Sequence, residues 1–223
     1  MIGTNLLSDL FSEPPMDGRF YGVTVGIVTN NKDEEGLGRI KVKFPWLSER
    51  DESYWARVLT PMAGKERGIY FLPEVEDEVL VAFAHGDIES AYILGSVWNG
   101  KDKPPETNDD GKNNRRIIKS RSGHQIIFDD TEDKEKIIIR DKTEKNEVII
   151  DSKKNTMSIK VEKDITVESK GKITIKSSDG DITIEGKNLE FKAQSKCEIE
   201  ASSSMALKCS AGVKINDSSL EVM

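Results

Sequence analysis

Residues 165–192 read ITVESKGKITIKSSDGDITIEGKNLEFK. Within this stretch Ile165/Val167, Ile173/Ile175, Ile182/Ile184 and Leu189/Phe191 each place two apolar side chains one position apart, with polar residues filling the gaps. Side chains at i and i+2 of a strand share one face. The phrase begins near Ile137 and recurs as Ile159/Val161, Cys197/Ile199, Met205/Leu207, Val213/Ile215 and Leu220/Val222, at a spacing near eight residues. Short strands at a fixed period, with polar turns between them, mark a stacked β architecture in which each unit buries its apolar face only against its neighbours. The predicted inward set is therefore Ile159, Val161, Ile165, Val167, Ile173, Ile175, Ile182, Ile184, Leu189, Phe191, Ile199, Met205, Leu207, Val213 and Ile215. Outward positions such as Lys160, Glu162, Lys176, Glu198, Glu200 and Lys214 carry both signs of charge and keep such a shaft soluble.

Two inward residues per repeat make too thin a core for one chain to offset the entropy of ordering its backbone. Three copies wound about a common axis triple the apolar side chains at each level and pair every strand edge. The expectation is a homotrimer.

Ahead of the repeat the composition changes. All seven prolines lie at or before Pro105, and beyond that point Phe128 and Phe191 are the only aromatic residues. The front of the chain thus has the large side chains of a compact core. Five candidate strands follow one another there: Tyr21–Thr29, Arg39–Phe44, Tyr54–Thr60, Glu78–Ala84 and Ala91–Val97. The first two are joined by a polar turn, NNKDEEGLG, and the last two by HGDIES, which predicts a small five-stranded Greek-key barrel of OB-fold type. Residues 99–116 begin with a Pro-Pro-containing polar stretch and read as a linker. The expected organisation is an N-terminal segment over residues 1–19, a barrel over 20–98, the linker over 99–116 and a shaft over 117–223. Leu6, Leu7, Leu10 and Phe11 fall at helical spacing, so the first segment is expected to hold a short amphipathic helix, lying on its own domain or docking on another protein.

A net charge of −7 argues against a dedicated polyanion binder, and no basic stripe interleaved with aromatic residues stands out in the sequence. No stretch approaches the roughly 18 apolar residues of a membrane-spanning helix. The first residues lack the basic flank and apolar core of a secretory signal, so the chain is expected to stay in the cytoplasm until it is assembled. Cys197 and Cys209 share the parity of inward residues and read as small buried hydrophobes, not as a disulfide or metal site.

Catalytic, cofactor and metal sites are all expected to be absent. His124 lies just after two serines, Ser120 and Ser122, in SRSGHQ but reads as a strand or turn contact, and the acids at Glu74, Glu76, Asp77 and Glu78, and at Asp129 and Asp130, sit in polar turns. The DDTEDKE run lacks the glycine and terminal glutamate of a calcium loop.

The stretches GRIKVKFPWL (38–47), YWARVLTPMAGKERGIYFLPEVEDEVLVAF (54–83) and HGDIESAYILGSVWNG (85–100) resemble the OB domain of the central spike proteins of contractile injection systems, the phage baseplate assembly protein V and VgrG families. RRIIKSRSGHQIIFDDTEDKEKIIIRDKT (115–143) resembles the segment that leads from that domain into the spike's triple-stranded β-helix. The resemblance implies a structural, non-enzymatic role: a trimer that docks on a hub protein at the end of a contractile tail and pierces a target cell envelope when the sheath shortens. VgrG proteins usually begin with a large hub-like region, whereas this barrel starts about twenty residues in, so the hub is expected to be a separate trimeric protein. The repeat runs to the last residue without a His-x-His motif, which implies a blunt end capped by a PAAR-type tip protein at Leu220, Val222 and Met223. The expected location is the baseplate or tail tip of a phage-like particle, with no nucleic acid as partner. The rival expectation is an OB-fold module for single-stranded nucleic acid or oligosaccharide, trimerised by a β-helical stalk. A cell-wall hydrolase is a third, and the short linker leaves no room for the enzyme domain that some phage spikes insert there.

Overall fold

The computed structural model describes residues 18–47 and 52–212. The expected helix near the N-terminus, the last inward pair Val213/Ile215 and the tip residues Leu220, Val222 and Met223 lie outside the described residues. The chain divides into two units, Met1–Ile165 and Thr166–Met223.

Seven strands build the front of the first unit: β1 (Val23–Asn30), β2 (Arg39–Lys43), β3 (Ala56–Val58), β4 (Ala63–Gly64), β5 (Arg67–Gly68), β6 (Glu78–Phe83) and β7 (Ala91–Ser96). Five of them close a barrel in the order β1-β2-β3-β7-β6, with β3 and β7 parallel and the other pairs antiparallel. This is the OB-like barrel expected from the sequence. Alternation selects the core: in EVLVAF, Val79, Val81 and Phe83 point inward and pack with Val28, Ile40, Val42, Phe44, Ala56, Ala91 and Ile93. Gly26 pairs with Val79 across β1 and β6, and a Cβ there would stand 3.2 Å from Val81 Cγ2 and 3.3 Å from the Val42 Cβ, so the glycine makes room for the core.

Most of the aromatic side chains lie outside that core. Trp46, Tyr70 and Trp98 are exposed, and Trp55 is half-buried on the outer wall. Aromatic packing gathers at one end of the barrel, where Phe20 stacks on Trp46 at 5.4 Å and Phe44 meets Phe83 edge-on at 5.5 Å. A barrel this small is filled by aliphatic side chains, which leaves the larger rings to its rim and wall.

After the barrel, Asn99 Oδ1 accepts hydrogen bonds from the backbone N–H groups of Lys101 and Asp102, at 2.8 and 2.7 Å, opening the polar linker with a turn. The linker contains no strand up to Arg115. Five strands come after it: β8 (Arg115–Lys119), β9 (Gln125–Asp129), β10 (Lys136–Arg140), β11 (Glu147–Asp151) and β12 (Thr156–Lys160). They form one antiparallel meander in the order β12-β11-β10-β9-β8. The sequence reading runs these residues into the shaft from residue 117; in the structure they make a sheet within a single chain, and the repeat proper comes after it.

Candidate functional site, an unpartnered apolar repeat

Residues 162–212 contain no strand pairing and no backbone-to-backbone hydrogen bond, and every one of them is exposed. The chain bends at 162–163, 170–171, 178–180, 187, 194–195, 202–203 and 210–211. Between these bends lie six-residue segments, 164–169, 172–177, 181–186, 188–193, 196–201 and 204–209. The apolar pair occupies the second and fourth position of every segment: Ile165/Val167, Ile173/Ile175, Ile182/Ile184, Leu189/Phe191, Cys197/Ile199 and Met205/Leu207. The sixth position, of the same parity, is always small: Ser169, Ser177, Gly186, Ala193, Ala201 and Cys209. Sequence reasoning found the pairs but missed this third member, whose regularity emerges only once the bends fix the frame.

The large side chains of the stripe, Cys197 aside, are 51 to 76% exposed from Ile165 to Leu207. Both thiols are exposed in the single chain as well, where the sequence reading expects buried ones. Ile159 and Val161, the first pair of the predicted inward set, belong to the first unit; Ile159 is exposed and Val161 half-buried. An apolar row of this length with unpaired backbone polar groups beside it is the composition of an interface, since both kinds of group are costly to leave in that state.

The meander sheet has two unlike faces. On one, Ile117, Ile127, Ile138, Ile149 and Ser158 form a central row flanked by charged ladders. Lys136 pairs with Asp151 at 3.7 Å and Arg140 with Glu147 at 3.2 Å, and Ile127 and Ile138 are buried beneath these rows. The other face carries two apolar rows. Phe128, Ile137, Ile150 and Met157 make one, and Ile118, Ile126, Ile139, Val148 and Ile159 the other.

Tight turns hold this sheet. Asp141 Oδ1 accepts from the backbone N–H and hydroxyl of Thr143, and Oδ2 accepts from Asn146 Nδ2 at 2.9 Å. Burial pushes the Asp141 carboxyl up, but these hydrogen bonds outweigh it and lower the pKa to about 2. Asp129 repeats the arrangement with the hydroxyl and N–H of Thr131, and its pKa is lowered too. His124 serves its turn through the backbone, its N–H donating to Ser120 Oγ at 3.0 Å. Among the acids at the β6 turn, Asp77 Oδ2 accepts from the Glu74 N–H and Glu74 pairs with Arg121, both at 2.8 Å.

On the barrel wall the structure shows a cluster that the sequence does not reveal. Arg39 and Lys41 lie over the Trp55 ring at 5.8 and 5.3 Å, and Arg57 lies 6.0 Å from the Tyr92 ring centroid. Strand pairing gathers Arg39 and Lys41 from β2, Arg57 from β3 and Tyr92 from β7, with Trp55 just ahead of β3. Arg39 is ion-paired with Asp33 and Glu35, and Lys41 with Glu52.

Residues 24–98, the barrel, match the type VI secretion system/phage-baseplate injector OB domain. The barrel matches the injector OB domain, and part of the chain is similar to VgrG spike proteins. It is 27% identical over 137 residues to the type VI secretion system spike protein VgrG3 of Vibrio cholerae serotype O1, covering 57% of this chain and 13% of that relative. To the spike protein VgrG2a of Pseudomonas aeruginosa it is 29% identical over 126 residues, 53% of this chain and 15% of the relative. VgrG1a of the same organism is 35% identical over 92 residues, 38% of this chain and 14% of the relative. The chain therefore spans only a small fraction of the length of the curated relatives it matches.

Proposed function

We propose that this chain is the central spike of a contractile injection apparatus. Three copies wind the repeat from residue 164 to 212 into a triple-stranded β-helix, with the second, fourth and sixth positions of each segment facing the common axis. The barrels dock on a trimeric hub at the baseplate, and a PAAR-type protein caps the far end. Sheath contraction drives the shaft through a target cell envelope, a mechanical task without catalytic chemistry, and assembly in the cytoplasm precedes it. The observation that carries this reading is the in-frame apolar pair followed by a small residue between bends, repeated six times and exposed throughout among the described residues. The injector OB domain and the likeness to type VI spike proteins support it. Size-exclusion chromatography with light scattering tests it: the expected mass is three chains, and a folded single chain at micromolar concentration would sink the β-helix.

A second reading draws on the basic and aromatic cluster at Arg39, Lys41, Trp55, Arg57 and Tyr92. In it the barrel holds a single-stranded nucleic acid or another anionic polymer. The ion pairs to Asp33, Glu35 and Glu52 weigh against it, because they already satisfy two of the three cations. A salt-sensitive change in Trp55 fluorescence on adding an oligonucleotide would bring it forward.

A further inference from the structure

The repeat leaves one physical problem unsolved. Its segments are nearly equivalent, so three chains displaced by one segment still bury large side chains against large and small against small. A regular apolar stripe specifies alignment weakly. Something outside it must hold the chains level.

We infer that the two-row apolar face of the β8–β12 sheet docks on the same face of two further copies of this chain and sets the register of the shaft; the inference rests on the trimeric spike reading above. Four observations support that occupant. Nine of the ten strand positions on the face are apolar, and the one charge, Arg116, stands at the β8 edge and is ion-paired with Asp130. Eight of the nine side chains are 38 to 63% exposed, and they are spread over both rows, so that each row offers apolar surface to one neighbour. The rows differ in shape: one holds Phe128 and Met157, the other only β-branched residues and Ile118 among them at the β8 edge. A row that meets the unlike row of the next copy gives a head-to-tail contact, and a three-fold rotation closes such contacts into a ring with two neighbours for two rows. Finally, unlike the stripe, this face does not repeat along the chain, so a copy displaced by one strand puts Phe128 where an isoleucine should be.

Chain connectivity then carries the register onward. Only residues 161–163 separate β12 from the first segment of the repeat. With three chains level at Lys160, a slip of one segment would leave about eight residues of one chain looped out, and so many cannot be hidden in a connection of three. The sheet therefore acts as a clamp that forms ahead of the shaft and selects one alignment from several of similar energy.

The test uses the full chain and its native thiol. Ile126→Thr with Ile139→Thr places hydroxyls on the proposed contact while keeping β-branched residues that favour strands. Ile175→Thr with Ile184→Thr does the same within the stripe. Both are made in a Cys209→Ser background, so that a thiol-reactive dye reports the shielding of Cys197 alone. The sheet variant should dissociate at a concentration at least tenfold above that of the parent and lose most of the protection of Cys197, with Trp fluorescence of the barrel unchanged. The stripe variant should keep the three-chain mass and the protection. A sheet variant that remains a trimer with Cys197 protected, or a stripe variant that dissociates as readily as the sheet variant, overturns the clamp. A parent protein of single-chain mass overturns the spike reading itself, and the clamp with it.

Discussion

Asp33 holds both prongs of Arg39: Oδ2 accepts from Nε and Oδ1 from Nη2, each at 2.8 Å. The same carboxylate accepts from the backbone N–H groups of Glu35 and Leu37, at 3.2 and 3.1 Å, so one side chain ties the connection between β1 and β2 to the start of β2. The Arg39 hydrogen bonds hold the Asp33 carboxyl far below the ordinary carboxylate range. A carboxyl whose pKa is lower folded than unfolded stabilises the fold above its unfolded pKa, near 3.9, and this contribution is lost as the pH falls through the folded value. Asp141, at about 2, behaves alike in the sheet. The barrel should therefore keep its native Trp fluorescence down to about pH 3 and unfold below it, and Asp33→Asn should lower thermal stability at pH 7 while flattening the dependence on acid. An Asp33→Asn protein with the parent's acid profile would show that the fork does not govern it.

Gly26 is required by space. Valine there would drive its side chain into Val81 and Val42, neither of which can retreat within a closed barrel. Gly26→Val should cost about 1 to 3 kcal/mol by overpacking. Ile93→Ala, at a fully buried position, should cost about 2 to 5 kcal/mol by leaving a cavity. Urea unfolding followed by Trp fluorescence measures both, and unaltered slopes with shifted midpoints are expected.

The ion pair of Arg121 with Glu74 joins the turn after β8 to the turn before β6, but both side chains stand largely in solvent. Such a pair is worth less than about 1 kcal/mol. Glu74→Gln should leave the barrel's melting temperature within error at physiological salt, and a drop of more than a few degrees would reveal a brace that exposure does not suggest.

Alternation and turn residues made the barrel legible. Each of its five strands lies within two residues of the expected span at either end, and β3 is trimmed most because its pairing with β2 and β7 covers only Ala56–Val58. The β4–β5 hairpin was hidden, since AGKERG has no apolar alternation and its two-residue strands bury nothing. The meander was hidden for another reason. Strand segments at 117–118, 126–128 and 137–139 are readable, but the last three turns use left-handed Asp133, Glu144 and Asn155 where glycine would have signalled a hairpin, so the segments read as the start of the shaft and not as a sheet of one chain. The barrel-wall cluster escaped because Arg39, Trp55 and Tyr92 are distant in sequence and only strand order unites them. The apolar pairs of the candidate site were readable because their period is carried by the sequence itself, whereas the small sixth-position residues needed the bends to fix the frame.

The two cysteines supply a test of assembly that needs no substitution. Both are exposed in a single chain, and each occupies a same-parity position of its segment, second for Cys197 and sixth for Cys209. Packed around a three-fold axis, both thiols would face the interior among Ile199, Met205 and Leu207 and be shielded from solvent. A thiol-reactive dye added to the native protein should then label neither cysteine at more than about a hundredth of the rate seen in denaturant, because access requires the three chains to part. Opening should also be slow, since a strand of an interwound shaft cannot leave alone. Equal, rapid labelling of Cys197 and Cys209 in the native protein would mean that the stripe stands open in solution. Rapid labelling of Cys209 with protection of Cys197 would instead place the fraying boundary of the shaft between residues 197 and 209.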